Sequence, residues 1–278
     1  MKLHFASMGL LAAALSLTSM PAAFAQHTPG TAQGPDKYQF VDNIELKPGQ
    51  DAAFTKAESD EVQALRAAHA PGYYLGLWSI TGSNHVLFFS GFDSFEQAQK
   101  NHETVWNNTD LAAKLNAGTA AEAPLMKDVH RSIYTYDKDL SLRPDLDISK
   151  MRFARILLFH VRRGHDQDFE HTIKLFAKAY ETAIPDAHWA MFEKDYGEGS
   201  DNIYILVTPM ESLSTVDEMH ANGKKFETSI GPDQLQLLRN QIDKVVESSE
   251  ADLFAFGEKI SYVPDSWLTA YPDFWGKK

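Results

Sequence analysis

The sequence predicts an α+β chain made of two tandem copies of one strand–helix–strand–strand–helix–strand unit. Two observations carry that expectation: the chain can be laid over itself, and the same order of elements recurs in each copy. Residues 38–144 align with residues 153–264 with few gaps. VDNIELKPGQDAAF (41–54) meets ILLFHVRRGHDQDF (156–169), which matches Gly49 with Gly164, Asp51 with Asp166 and Phe54 with Phe169. Pro71 then meets Pro185, placing Trp78 opposite Phe192, and His102 meets His220. Each match is weak alone; in order, with like elements between, they point to a duplication. With 278 residues, 44% hydrophobic and 23% charged, the chain can fill a core.

Each copy opens with a strand, residues 38–46 or 152–161, then a turn at Pro48-Gly49 or Arg163-Gly164. A helix follows, with apolar residues at helical spacing: Phe54, Ala57, Val62 and Leu65, or Phe169, Ile173, Phe176 and Tyr180. Pro71 and Pro185 end these helices. Two strands come next, 73–80 with 86–92 and 188–193 with 203–207, joined by Gly-rich polar turns that suit hairpins. A second helix starts from Ser94 or Ser212, each placed as an N-cap. A third helical stretch leads to a last strand, 132–136 or 253–256; in copy two it opens at Pro232 and aligns Leu235, Leu238, Ile242 and Val245 on one face. This order is the split βαβ, or ferredoxin-like, plan. Its sheet has helices on one face only, so two copies packed sheet-to-sheet would give a single-chain version of a dimeric α/β barrel.

At this point the chain resembles the dimeric α/β-barrel superfamily in tandem form, close to its antibiotic-biosynthesis-monooxygenase-like and NIPSNAP-like members. FFSGFDSFEQAQKNHE (88–103) resembles that superfamily's strand, its Ser-x-Glu helix start and its helix His facing the cavity. LVTPMESLSTVDEMHANG (206–223) repeats the layout with His220, but has Ser214 opposite Glu96. The resemblance implies a pocket between sheet and helices. It also implies a choice among cofactor-free oxidation of aromatic molecules, haem degradation, and haem binding of the chlorite-dismutase or dye-decolourising-peroxidase kind. The Gly-x-x-Asp-Gly signature of the last group is absent.

Candidate site residues follow from periodicity. His102 falls on one helical face with Phe95 and Ala98, continued by Val105 and Trp106; His220 relates likewise to Leu213 and Val216. Such a His could serve as a base or a haem ligand, or as a buried ring bonded to backbone. Asp42 alternates with Ile44 and Leu46 and so shares their inward face, unless the register slips by one. His102 and Asp42 are therefore the candidate catalytic pair. Tyr74 and Trp78 in copy one and Trp189 in copy two, with Trp106 and His220, are candidate ligand contacts; strand aromatics also serve as plain core. Copy two has Leu157 opposite Asp42, so the pocket is expected in the first repeat. His160, His165 and His171 lie on different elements, and no metal-binding spacing occurs, so no metal is expected.

The expected function is an exported protein that binds a small hydrophobic or aromatic molecule, with monooxygenase-like chemistry that needs no cofactor as its extension. Alternatives are a haem protein using His102 or His220 as axial ligand, and a non-enzymatic structural or interaction module. The net charge, 26 − 38 = −12, argues against nucleic acid as partner. Cysteine is absent, which removes disulfides and thiol chemistry. A monomer or weak oligomer is expected.

The N-terminus reads as a secretory signal: Lys2, an apolar run at 8–17 and Ala23-Phe24-Ala25 before the polar Gln26. A retained anchor is the rival reading, and no later run reaches the ~18 apolar residues a membrane helix needs. The expected organisation is thus a signal peptide (1–25), a flexible leader (26–37), a first repeat (38–144), a linker (145–151), a second repeat (152–264) and an aromatic tail (265–278) packed on the barrel. Its location would be periplasmic or secreted. Mass spectrometry of exported protein should find Gln26 as the first residue; an intact Met1 would refute the signal.

Overall fold

In the computed structural model the described residues are 31–199 and 202–276; the proposed signal peptide and its cleavage site lie outside them. Repeat one runs β1 (Tyr38–Leu46), α1 (Asp51–Ala67), β2 (Leu75–Ser79), β3 (His85–Phe92), α2 (Phe95–Asn107), α3 (Thr109–Glu122) and β4 (Met126–Leu142). Repeat two runs β5 (Phe153–Val161), α4 (Asp166–Ala183), β6 (Trp189–Gly197), β7 (Ile203–Met210), α5 (Ser214–Ile230), α6 (Pro232–Val245) and β8 (Val246–Phe256). Two short helices, α7 (Asp265–Ala270) and α8 (Pro272–Trp275), follow.

The eight strands close into an antiparallel barrel in the order β1-β3-β2-β8-β5-β7-β6-β4. Each repeat contributes a four-stranded sheet in ferredoxin-like order. The last strand of each repeat also pairs with the second strand of the other: β4 with β6, and β8 with β2. β4 and β8 are much longer than the 132–136 and 253–256 expected, because each must serve two neighbours. At 17 residues β4 holds β1 along its first part and β6 along its second, with the register shifting at Ile133/Tyr134. Such an irregularity bends a strand and lets it turn from one sheet into the next.

Alternation divides every strand between two cores. One side chain in two points into the barrel, where Val41, Leu77, Leu87, Ile156, Phe192, Ile205 and Phe254 meet. The others face the helices: Ile44, Val86 and Phe88 under α1 to α3, and Phe159, Met191 and Tyr204 under α4 and α6. Trp78 packs with the helix-facing core of repeat one, whereas Phe192 points into the barrel. The expected Trp78–Phe192 equivalence is thus one residue out, and in a strand one residue reverses the face. Gly76 is a fixed requirement of β2, since a Cβ there would lie 2.6 Å from the Ile260 carbonyl oxygen.

Ser94 caps α2, accepting from Gln97 N at 3.1 Å. Ser212 does not cap α5 in that way: its hydroxyl accepts from Ser214 N at 3.2 Å, where the helix begins. Residues 31–37 are not a free leader. Gln33 pairs with Leu146, and Asp36 is half-buried with its carboxyl against Gly91. Trp267 and Trp275 of the tail enter the same core as the barrel lining. Trp275 Nε1 donates to the Ser149 carbonyl at 2.8 Å, and the Arg152 guanidinium stacks on Phe274, 4.1 Å from its centroid. No described helix is long and apolar enough to cross a membrane.

Residues 37–147 alone would keep half the barrel lining and leave β4 and β2 each without a partner strand. Such edges and faces self-associate. Expressed alone, this fragment should aggregate or dimerise by sedimentation; a stable monomer would contradict the dependence of each half on the other.

Candidate functional site

Between each half of the barrel and its helices lies one interface, and the two copies fill it differently. In repeat one, α1 presents Phe54, Glu58, Glu61 and Leu65 to the sheet, at steps of four, three and four residues on one helical face. Both glutamates are buried, at 3% exposure each, with Glu122 of α3 at 5%. Gly118 of α3 leaves the room that the Glu61 carboxyl occupies; a Cβ would overlap it. Tyr74 donates its hydroxyl to Glu58 Oε1 at 2.6 Å. Asp42 faces the same interface, as its alternation predicts, and pairs with Arg131 of β4 at 3.2 Å.

Burial dominates the chemistry of these acids. It raises Asp42 to about 7, opposed by the Arg131 charge and reinforced by Glu58. Burial and then the neighbouring Glu58 raise Glu61 to about 9; burial, Glu58 and Glu61 raise Glu122 to about 11. Glu58 is raised by burial as well, while the hydrogen bonds from Tyr74 and Glu122 pull it down. At neutral pH, Glu61 and Glu122 are therefore protonated. Glu61 Oε1, Glu122 Oε1, His102 Nδ1 and Trp106 Nε1 are buried without hydrogen-bond partners. His102 and Trp106 pack on each other with centroids 5.9 Å apart.

Little space remains in this interface. A void at one end of it, beside Tyr74 and Asn101, measures about 20 Å³. The expected pocket of the first repeat is accordingly filled: Tyr74 is spent on Glu58, and Trp78 packs edge-on against Phe54 at 6.1 Å. The polar residues that suggested a pocket are buried against one another and the helices. Val105, Leu111 and Leu115 seal the helical side.

The equivalent interface of repeat two holds a cavity of about 840 Å³. Its sheet wall is Arg155, Leu157 and Phe159 of β5, Trp189 of β6, and Leu206 and Thr208 of β7. Ile173, Phe176 and Tyr180 of α4, Met219 and His220 of α5, and Ile242 of α6 form the helical wall. The space exists because α5 buries only Phe226 deeply, against α4 and away from the sheet. Tyr180 stacks on Phe226 at 4.1 Å and meets Trp189 edge-on at 5.6 Å. Trp189 Nε1 is anchored on the Leu140 carbonyl at 2.9 Å, so its ring is a fixed surface. Of the seven residues singled out from sequence, Trp189 and His220 line this cavity, His220 at its exposed edge. Sequence reasoning misses Arg155 and Tyr180 as site residues; the alternation of Arg155 with Leu157 and Phe159 is the available signal. Among the described residues no group of three or more His, Asp or Glu is placed to hold a metal ion.

No protein-family model matches the chain, and no curated protein matches it. Solved structures do. A candidate monooxygenase from Fusobacterium nucleatum matches at TM-score 0.52 and 13% identity, over 79% of this chain and 91% of its own. An anthrone oxidase-like protein matches at 0.53 and 9%, over 82% and 94%. A haem-binding protein from Thermus thermophilus matches less well, at 0.41 and 12%, over 91% and 100%.

The acids of repeat one predict a pH dependence. Their folded-state values are raised, so the stability they allow is complete below 3.8 for Asp42 and 4.5 for Glu61, and is lost as pH rises through about 7 and about 9 respectively. Glu61→Gln should remove at least ~1 kcal/mol of the loss between pH 5 and 9, since a tenfold change in a proton's affinity corresponds to about 1.4 kcal/mol. Urea titrations at both pH values would show it; identical pH slopes in mutant and wild type would refute it. With the closed strand order and the two likenesses above a TM-score of 0.5, the chain has the dimeric α/β-barrel fold in tandem, single-chain form.

Proposed function

We propose that this chain binds a flat, apolar small molecule in the cavity of its second repeat. The observation that carries the reading is the cavity of about 840 Å³ open between sheet and helices in repeat two, against a void of about 20 Å³ beside Tyr74 and Asn101 in repeat one. Ligand sites are concave, mostly apolar and furnished with a few polar groups. This cavity offers Leu157, Phe159, Leu206 and Ile242 as apolar surface, Trp189 as a fixed aromatic wall, and Arg155, His188 and His220 as polar groups. Monooxygenase-like chemistry without a cofactor fits the same space, with His220 as the candidate base in place of His102. The chain closes its own barrel, which supports a monomer. Export belongs to this reading through the N-terminal segment.

Haem in the same cavity is the second reading, favoured by one observation: the imidazole of His220 lines a space large enough for a porphyrin. His102 does not line that cavity, and its ring packs on Trp106 with centroids 5.9 Å apart. A bound haem would supply redox chemistry; the chain would supply the His220 imidazole at the edge and apolar walls that exclude water.

Native mass spectrometry and a visible spectrum of the purified protein should reveal a bound small molecule, and only the haem reading gives a Soret band. Leu206→Trp fills the cavity and should abolish retention without unfolding the barrel. Undiminished binding in that variant would place the ligand elsewhere and sink both readings.

A further inference from the structure

Among the described residues Arg155 is the one charge on the sheet wall of the cavity, and none of them gives it a counter-charge. It projects from the helix-facing side of β5, directly across the ladder from Thr208. Five other arginines are occupied. Arg66, Arg131 and Arg239 reach Asp265, Asp42 and Glu227. Arg143 donates to the carbonyls of Glu181, Ile184 and Ala187, and Arg152 to those of Ser149 and Met151. Arg155 makes no hydrogen bond or ion pair to any described residue; the phenol of Tyr180 is the group whose charge it feels. Burial raises the Tyr180 hydroxyl above its ordinary range, so that phenol stays neutral and cannot balance the guanidinium. The carboxylates of the cavity, Asp186, Glu211 and Glu218, all stand exposed at its mouth.

A second polar group stands on the same lining. His188 lines the cavity with both ring nitrogens against carbonyl oxygens, Nδ1 to Asp186 at 3.0 Å and Nε2 to Pro209 at 2.9 Å. A half-buried guanidinium facing an apolar cavity is costly unless an anion meets it. Its planar fork matches a carboxylate in two parallel bonds.

Resting on the reading that the second repeat is the binding half, we infer that its ligand is an aromatic carboxylate: the acid group sits on Arg155 and the apolar body runs along Leu157 and Phe159. Arg155 and Phe159 stand four strand steps apart, which at ~3.3 Å each gives about 13 Å, room for a two-ring body with its acid group. Deeper in, Ile173 and Ile242 offer no polar group, so the anion can be met only at the Arg155 end.

The test compares 2-naphthoate with its neutral isostere 2-naphthamide by isothermal titration of the full chain. The acid should bind at least tenfold more tightly than the amide. Arg155→Met should erase that preference while leaving amide affinity within twofold, and Arg155→Lys should restore part of it. Thermal melts of both variants check that the fold persists. Equal affinity for acid and amide in the wild type, with both lost in Leu206→Trp, would overturn the carboxylate assignment and leave the cavity reading standing. If neither compound binds, or Leu206→Trp binds both unchanged, the cavity reading falls and this inference with it.

Discussion

Backbone pairing across the repeat boundary is the constraint on which the rest of this molecule depends. β4 and β8 each hydrogen-bond to a strand of their own repeat and to one of the other, so neither four-stranded sheet has a free edge. Closure puts one face of both sheets into a common interior and turns the other outward to the helices. It also explains the lengths of β4 and β8, the bend at Ile133/Tyr134, and the need for Gly76 where Ile260 crosses β2. The tail completes the closure, with Trp267 and Trp275 entering the barrel core.

Within this shared frame the two repeats have diverged in what their helices do. In repeat one, α2 and α3 bring Val105, Leu111 and Leu115 down onto the sheet and enclose a set of acids that must hold protons to stay buried. In repeat two, α5 leans on α4 through Phe226, Phe176 and Tyr180 and leaves the sheet bare beneath it. Tightness in one half and hollowness in the other come from the same geometry, decided by a few helix residues. Putting polarity in the filled half and an apolar lining in the hollow one is physically consistent. Paired or protonated acids can be packed over, whereas an apolar ligand needs apolar walls.

The duplication, the element order and the inward face of Asp42 are legible because they rest on periodicity, which local sequence states directly. The aromatic tail is legible from Trp267, Tyr271, Phe274 and Trp275 standing too close together to remain in water. What is not legible depends on how far a helix stands from a sheet. No spacing in α5 says that it packs on α4 and leaves a cavity over the sheet, so the polarity of copy one points away from the half that holds this space. The reach of β4 and β8 is hidden as well, since Asp137-Lys138-Asp139 and Glu247-Ser248-Ser249-Glu250 look like loop until partner strands are supplied. Glu58 and Glu61 are within reach of the same periodicity, lying between Phe54 and Leu65 on one stripe. The opposition of Trp78 and Phe192 fails through one residue of register, the error to which a two-residue repeat is most sensitive.

The seam between β2 and β8 has a consequence in time. Leu77 pairs with Phe256, so residues far apart in the chain must meet before that side of the barrel exists. Contacts at such separation are expensive in loop entropy and late to form, and barrels dominated by them fold slowly. Until β8 arrives, β2 has an open edge, and the apolar residues that will line the interior, Leu77 and Leu87 among them, face solvent. The seam that makes the finished barrel edge-free therefore leaves its precursor with a prolonged sticky stage, in which a second unfinished chain could offer the same strand.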